Sequence, residues 1–287
     1  MRTRPLGETG LHVSEIGLGA GPLGGDDLDD ARAIELVVGA IDRGVTLIDT
    51  APSYGRSEVR IGLALRGRRE RVVLSTKLGY GVPGVPDWTG PCITAGVDAA
   101  LARMGTDRID IAHLHSCPLD VLVRGEVLDA LEAAVRAGKV RVAAYSGDND
   151  PLEWAVTSGR FGVVQCSVSA ADQRALDRVI PAAGTRGVGV LAKRPLANGV
   201  WREVERPDAP DRAMYWDRLR AMGVKLGAAE ALGFVIAQPG VAAALVGTTS
   251  LAHLQAMIDV AETSDRADVE QIRAAFQRCD AAWDGVI

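Results

Sequence analysis

From residue 15 onward, short apolar runs alternate with longer stretches in which apolar residues recur at helical spacing. The runs are "EIGLG" (15–19), "TLID" (46–49), "RVVLST" (71–76), "IDIAHLH" (109–115), "VRVAAYS" (140–146), "VVQC" (163–166), "VGVLAK" (188–193) and "AAALVG" (242–247). Their length and β-branched content predict strands buried on both faces, as in a parallel sheet. Between them, helical spacing predicts helices over 29–44, 57–67, 94–105, 127–139, 151–159 and 175–187, several closed by Gly after a basic residue. About eight strands with intervening helices predict a parallel, right-handed (β/α)8 TIM barrel.

Three segments fall outside that cadence. The first, "TRPLGETGLHVS" (3–14), predicts a short β-hairpin that plugs the barrel floor. Residues 194–224 form a long polar insertion after the seventh barrel strand, expected to be a functional loop. Two extra C-terminal helices are expected over 251–262 and 268–283. With no linker or low-complexity stretch between elements, residues 1–287 are expected to form one domain.

Composition narrows the function class. The chain of 287 residues is 47% hydrophobic and 24% charged, with net charge −5, a globular balance that offers no basic footprint for nucleic acid. The densest basic cluster, "RGRRERV" (66–72), reads as a helix end feeding the third barrel strand. The longest apolar passage, 232–247, is broken by Gln238 and Pro239 and reads as a buried helix, a turn and a strand, so no membrane span is expected. The four cysteines lack metal or redox spacing, which predicts reduced thiols, a cytoplasmic location and no metal site.

In a parallel barrel, catalytic side chains come from the C-terminal ends of strands and the loops that follow. Those positions carry Asp49 and Tyr54, then Lys77, His115, Ser146, Gln165, and finally Lys193 with Arg194. Taken singly, Asp49 also fits a helix cap, Tyr54 a loop aromatic, Lys77 a snorkelling side chain and His115 a core histidine. Together, four ionisable groups converge on one mouth. A phenol is a poor acid at neutral pH, but an ammonium held by a carboxylate stabilises the phenolate. On that chemistry Tyr54 donates a proton to a carbonyl oxygen that a neutral His115 also binds. No side chain supplies hydride, so a nicotinamide cofactor is needed.

These residues resemble the aldo-keto reductases, with similarity running through "GLGAGPLG", "GVTLIDTAPSYGRSEVRIGLAL", "LSTKLG", "DIAHLHS", "GKVRVAAYSGDN", "VVQCSVS", "KRPLANG" and "AALVGTTSLAHL". The resemblance implies a catalytic tetrad of Asp49, Tyr54, Lys77 and His115, with Tyr54 as general acid. His113, two residues before His115, is expected to serve packing or hydrogen bonding. The resemblance also implies that Ser146 and Gln165 hold the nicotinamide carboxamide. Gly147 follows Ser146 where the family often has Asn, and Lys193 stands where it commonly stacks an aromatic, a contact that Arg194 or an apolar group would replace. Pyrophosphate binding falls on "PLANG", with Leu196, and on "VGTTS", with Gly247, Thr248 and Thr249; the second segment also fits an ordinary helix cap. His253 and Gln255 occupy the positions where many members hold the adenosine 2′-phosphate with basic residues. NADP(H) is expected by family habit, with NAD(H) as the alternative.

"GAGPLG" (19–24) satisfies a dinucleotide-binding glycine pattern, but Pro22 and the acidic "GDDLDD" that follows favour a flexible first strand-to-helix loop. Tyr80, Trp88 and Trp201, with Tyr215 and Trp216 nearby in the insertion, are candidates for the wall of a substrate pocket. The expected activity is reduction of a small aldehyde or ketone. The alternatives are a sugar or alcohol dehydrogenase running oxidatively and a cofactor-binding regulatory subunit like the family's potassium-channel β subunits.

Overall fold

The computed structural model describes residues 1–263, 268–279 and 283–286. Strands β1 (Thr3–Pro5) and β2 (His12–Ser14) form an antiparallel hairpin. Strands β3 (Ile16–Gly19), β4 (Leu47–Asp49), β5 (Val73–Leu78), β6 (Ile109–His115), β7 (Val140–Ser146), β8 (Val163–Ser167), β9 (Gly189–Lys193) and β10 (Val241–Gly247) follow in order, all parallel. Pairing of β10 with β3 closes the barrel. This is the expected (β/α)8 architecture, and each strand lies where its apolar run predicts it.

Two layers fill the interior. At the floor, Leu6, Leu11 and Val13 from the hairpin pack on the lower residues of the strands, among them Leu47, Val73 and Leu191. Above this apolar layer the same inward parity brings in polar side chains: Ser75 and Lys77 follow Val73 along β5, and His113 and His115 follow Ile111 along β6. A period of two thus carries these strands from sealed floor to polar mouth. No described helix is long and apolar enough to cross a membrane.

Several helices depart from their expected bounds for identifiable reasons. Gly90–Met104 starts earlier than position 94 because Thr89 Oγ1 accepts from Cys92 N and Pro91 is tolerated in the first turn. The helix expected over 175–187 is split into Arg174–Asp177 and Val179–Gly184. Pro181 has no N–H to offer the carbonyl of Asp177, so the ladder breaks there. Leu119–Arg124 and Ala228–Ile236 complete the covering layer with the other crossover helices.

The polar insertion is not loop throughout. It contains a tight 3-10 segment, Ala197–Arg202, and a four-turn helix, Pro210–Met222. Its charged residues hide a buried stripe of Tyr215, Arg218, Leu219 and Met222 at helical spacing. Arg218 is tolerated there because its guanidinium donates to the carbonyls of Ala171 at 3.2 Å and Asp284 at 2.6 Å. The last helix runs Val269–Cys279; the expected continuation over 280–282 lies outside the described residues. The basic cluster at 66–72 serves packing, with Arg69 donating to the buried Asp110 carboxylate at 2.7 Å.

Candidate active site

β4 ends at Asp49, and the turn after it presents Tyr54. Thr50 N bonds Ser75 O at 2.9 Å, carrying strand pairing one residue further. Tyr54 N then closes on Ala51 O at 3.1 Å, and the Tyr54 carbonyl accepts from Ser57 N at 3.0 Å as the next helix begins. "GAGPLG" backs this turn. Gly21–Gly24 is a 3-10 turn with Leu23 and Gly24 buried, not a flexible loop. A Cβ on Gly24 would stand 1.8 Å from Tyr54 O, and Gly55 has φ +50°, so only glycine lets these backbones meet. The pattern that mimics a dinucleotide motif therefore braces the tyrosine.

Behind Tyr54 lies a buried ion pair. Lys77 Nζ donates to Asp49 Oδ2 at 2.6 Å and to Thr50 O at 2.8 Å, while Ser75 Oγ donates to Asp49 Oδ1 at 2.8 Å. Burial pushes the Asp49 carboxyl up, but the Lys77 ammonium and these hydrogen bonds outweigh it and hold it below the usual carboxylate range. Burial likewise pushes Lys77 down, and Asp49, with Tyr54 beside it, more than compensates. The pair is thus charged, and the ammonium lies 5.0 Å from the centroid of the Tyr54 ring.

Two histidines share β6. His113 is fully buried with Nε2 3.0 Å from Ser75 Oγ. Because that hydroxyl already gives its one proton to Asp49, His113 Nε2–H is the donor. Burial above all holds His113 down to about 4. His115, at the strand end, meets Tyr54 edge to face at 6.4 Å between centroids. Burial, then the ammoniums of Lys77 and Lys193, hold it down to about 3, so its imidazole is neutral at physiological pH.

Asp49, Tyr54, Lys77 and His115 all line one cavity of about 730 Å³. Ser146, Gln165, Lys193, Arg194, Leu196, Trp201, Gly247, Thr248 and His253 line it too, so the candidates from seven strand ends meet in one space. Ser146 Oγ donates to Gln165 Oε1 at 2.9 Å, which leaves the buried Gln165 Nε2 without an acceptor. An orphaned amide N–H at the cavity wall fits a carboxamide oxygen, as a nicotinamide would provide. Lys193 is tied to Asp148 at 2.9 Å. Arg194, at φ +56°, gives one guanidinium nitrogen to Val286 O. Ser250 Oγ caps the helix Leu251–Glu262 by accepting from His253 N at 3.3 Å, and Ser250 N itself is held by Thr248 Oγ1 at 3.0 Å. The "GTTS" segment is thus a helix cap whose Gly247 and Thr248 also face the cavity.

Other candidates lie elsewhere. Tyr80 and Trp88 stand outside the cavity lining, behind His115, and Thr249 is also outside it. Tyr215 is fully buried in the packing of its helix, and Trp216 Nε1 donates to Glu203 O at 3.3 Å. Sequence reading passed over Ser75, Ser116, Asn198 and Arg202. Ser75 was legible through its parity with Lys77 and Ser116 through its place directly after His115; Asn198 and Arg202 depend on how the insertion folds back. Arg202 stacks on Trp201, 5.3 Å from its ring centroid, and forms no ion pair among the described residues.

Comparison with known proteins supplies the context. The model of the Aldo/keto reductase family matches residues 15–276. The chain is 32% identical over 223 residues to L-galactose dehydrogenase of Arabidopsis thaliana, covering 71% of this chain and 68% of that protein. It is 31% identical over 224 residues to the NADH-specific methylglyoxal reductase of Escherichia coli, covering 70% and 69%. Among solved structures, an aldo-keto reductase from Bacillus halodurans in its holo form superposes with a TM-score of 0.84 at 26% identity over 96% of each chain.

Proposed function

The chain belongs to the aldo/keto reductase family, a family of NAD(P)H-dependent carbonyl reduction, and from that premise we propose that it reduces a small aldehyde or ketone with Tyr54 as proton donor. The observation that carries this reading is the Asp49–Lys77 pair at 2.6 Å with its ammonium against Tyr54, opening on the cavity that Gln165 and His115 also line. The chemistry NAD(P)H supplies when bound is a hydride for the carbonyl carbon. Negative charge then grows on the carbonyl oxygen, and Tyr54 gives it a proton. Lys77 stabilises the phenolate left behind, with Asp49 holding the ammonium in place. Neutral His115 donates a hydrogen bond to the same oxygen and fixes its position.

Residues for holding the cofactor follow from the lining. Gln165 and Ser146 would engage the carboxamide, with Lys193 and Arg194 at the same end. Backbone groups of Leu196, Gly247 and Thr248, with Thr249 beside them, would meet the diphosphate, where a helix N-terminus favours negative charge. Arg202 and His253 would meet the adenosine phosphate. The uncommitted cation of Arg202 supports NADPH over NADH, in contrast to the NADH-specific relative from Escherichia coli. Trp201 contributes an apolar wall whose unpaired indole N–H can receive a substrate hydroxyl. The plant relative is a sugar dehydrogenase, and it favours a second reading in which the Tyr54 phenolate accepts the proton and an alcohol is oxidised.

Two experiments test this. Tyr54→Phe should bind NAD(P)H as the parent does and lose roughly 10²- to 10⁴-fold in carbonyl reduction, the usual contribution of a general acid. Unchanged turnover with an aldehyde panel removes Tyr54 from that role. Fluorescence titration with NADPH and NADH should show tighter binding of NADPH, a difference that shrinks in Arg202→Ala. NADH bound as tightly as NADPH by the parent overturns the phosphate assignment.

A further inference from the structure

Tyr80 Oη lies 2.6 Å from His115 Nδ1, and the two rings stack at 5.6 Å between centroids and 25° between planes. We propose that Tyr80 is a positioning residue: its hydroxyl donates to His115 Nδ1, fixing the tautomer whose Nε2–H faces the cavity. The proposal deepens the catalytic reading above and rests on it for the identity of the oxygen that His115 meets.

Geometry and proton affinity both lead there. A neutral imidazole has one N–H and one acceptor nitrogen, and whichever nitrogen is already hydrogen-bonded decides the role of the other. Tyr80 Oη has one other partner, Ser53 Oγ, at a loose 3.3 Å, so its short bond is the one to His115. A phenol O–H is a far stronger acid than a neutral imidazole N–H, so the proton on that bond belongs to the phenol and Nδ1 accepts. His115 lines the cavity and Tyr80 does not, which leaves the Nε2 edge for the substrate side. The opposite tautomer would turn a lone pair toward the carbonyl oxygen, repelling it and competing with it for the Tyr54 proton.

Tyr80 is itself held in place. Trp88 meets its ring edge-on at 5.8 Å and 65°. Trp88 has φ +57°, its N–H bonds Gly79 O at 2.7 Å, and its ring lies where a Cβ on Gly79 would stand 2.1 Å away. The two aromatics of the third loop thus form a brace behind the histidine, a role distinct from the substrate wall expected of them.

Histidine nitrogen NMR on isotope-labelled protein reads the tautomer directly. The chain has four histidines, and His115→Gln identifies the signals of His115. At neutral pH the parent should show His115 protonated on Nε2, with an Nδ1 signal displaced by hydrogen bonding. In Tyr80→Phe, which keeps the ring and its stacking, that signal should move toward a free imine nitrogen or average between tautomers. The same variant should lose about tenfold in kcat with NAD(P)H affinity unchanged, the effect of one hydrogen bond. His115 protonated on Nδ1 in the parent, or signals identical in parent and Tyr80→Phe, overturns the proposal. Carbonyl turnover absent from the parent while the NMR result holds would instead count against the catalytic reading and leave the tautomer assignment standing.

Discussion

Lys77 is 1% exposed and Asp49 4%, and charges so deeply buried persist because each satisfies the other and both find further hydrogen bonds. His113 pays the opposite way: it stays neutral, giving its Nε2–H to Ser75 and so orienting the hydroxyl that holds Asp49. Its folded-state value near 4 lies below the ordinary 6.5, so the unfolded chain binds a proton between those limits that the folded chain does not. The part of the stability that depends on a neutral His113 should therefore be complete above pH about 6.5 and be lost on acidification toward pH 4, up to about 3 kcal/mol. Urea unfolding of the parent and of His113→Gln across that range checks this; their slopes should differ by up to about one proton, and identical slopes refute it. At this scale Asp49, Lys77 and His115 were legible because each stands at the end of an apolar run, and Tyr54 because it lies in the turn that follows one. Ser75, buried inside such a run, was legible only through its parity with Lys77, and the place of Tyr80 behind His115 depends on a loop path that residue types do not encode.

Among the elements, the eight barrel strands were readable for a physical reason: a strand covered on both faces is apolar almost throughout, and turn residues bound it sharply. Pro210–Met222 was not, since its buried positions include Arg218 and Tyr215, whose polar ends are satisfied by carbonyls and a carboxylate from distant segments. The split at Pro181 was visible in principle, as was the cap at Thr89. The hairpin is the element whose task can be isolated. Leu6 is fully buried in the floor layer, so Leu6→Ala should cost about 2–5 kcal/mol in urea unfolding. The same variant should leave NAD(P)H affinity at 25 °C unaltered, because the floor and the cavity share no side chain of the hairpin. A large loss of cofactor affinity without loss of stability would contradict this division.

The whole molecule divides its labour along the barrel axis. Apolar residues at one end hold the barrel closed, and charged and hydrogen-bonding residues at the other converge on a cavity of about 730 Å³. The sequence pattern conveyed this axis well, because polar side chains stand at the C-terminal ends of most of the apolar runs. It conveyed the covering of the cavity poorly, because that comes from residues 194–224 folding back with Asn198, Trp201 and Arg202. The hairpin's Leu6, Leu11 and Val13, packed against the floor of the barrel, have a consequence for traffic. With the floor stoppered, a cofactor and a substrate bound as proposed would share the mouth of the barrel as their doorway, and the one seated deeper would arrive first and depart last. Turnover in such a vessel would be queued by architecture, and release of the deeper guest would set a ceiling that faster chemistry at Tyr54 could not lift.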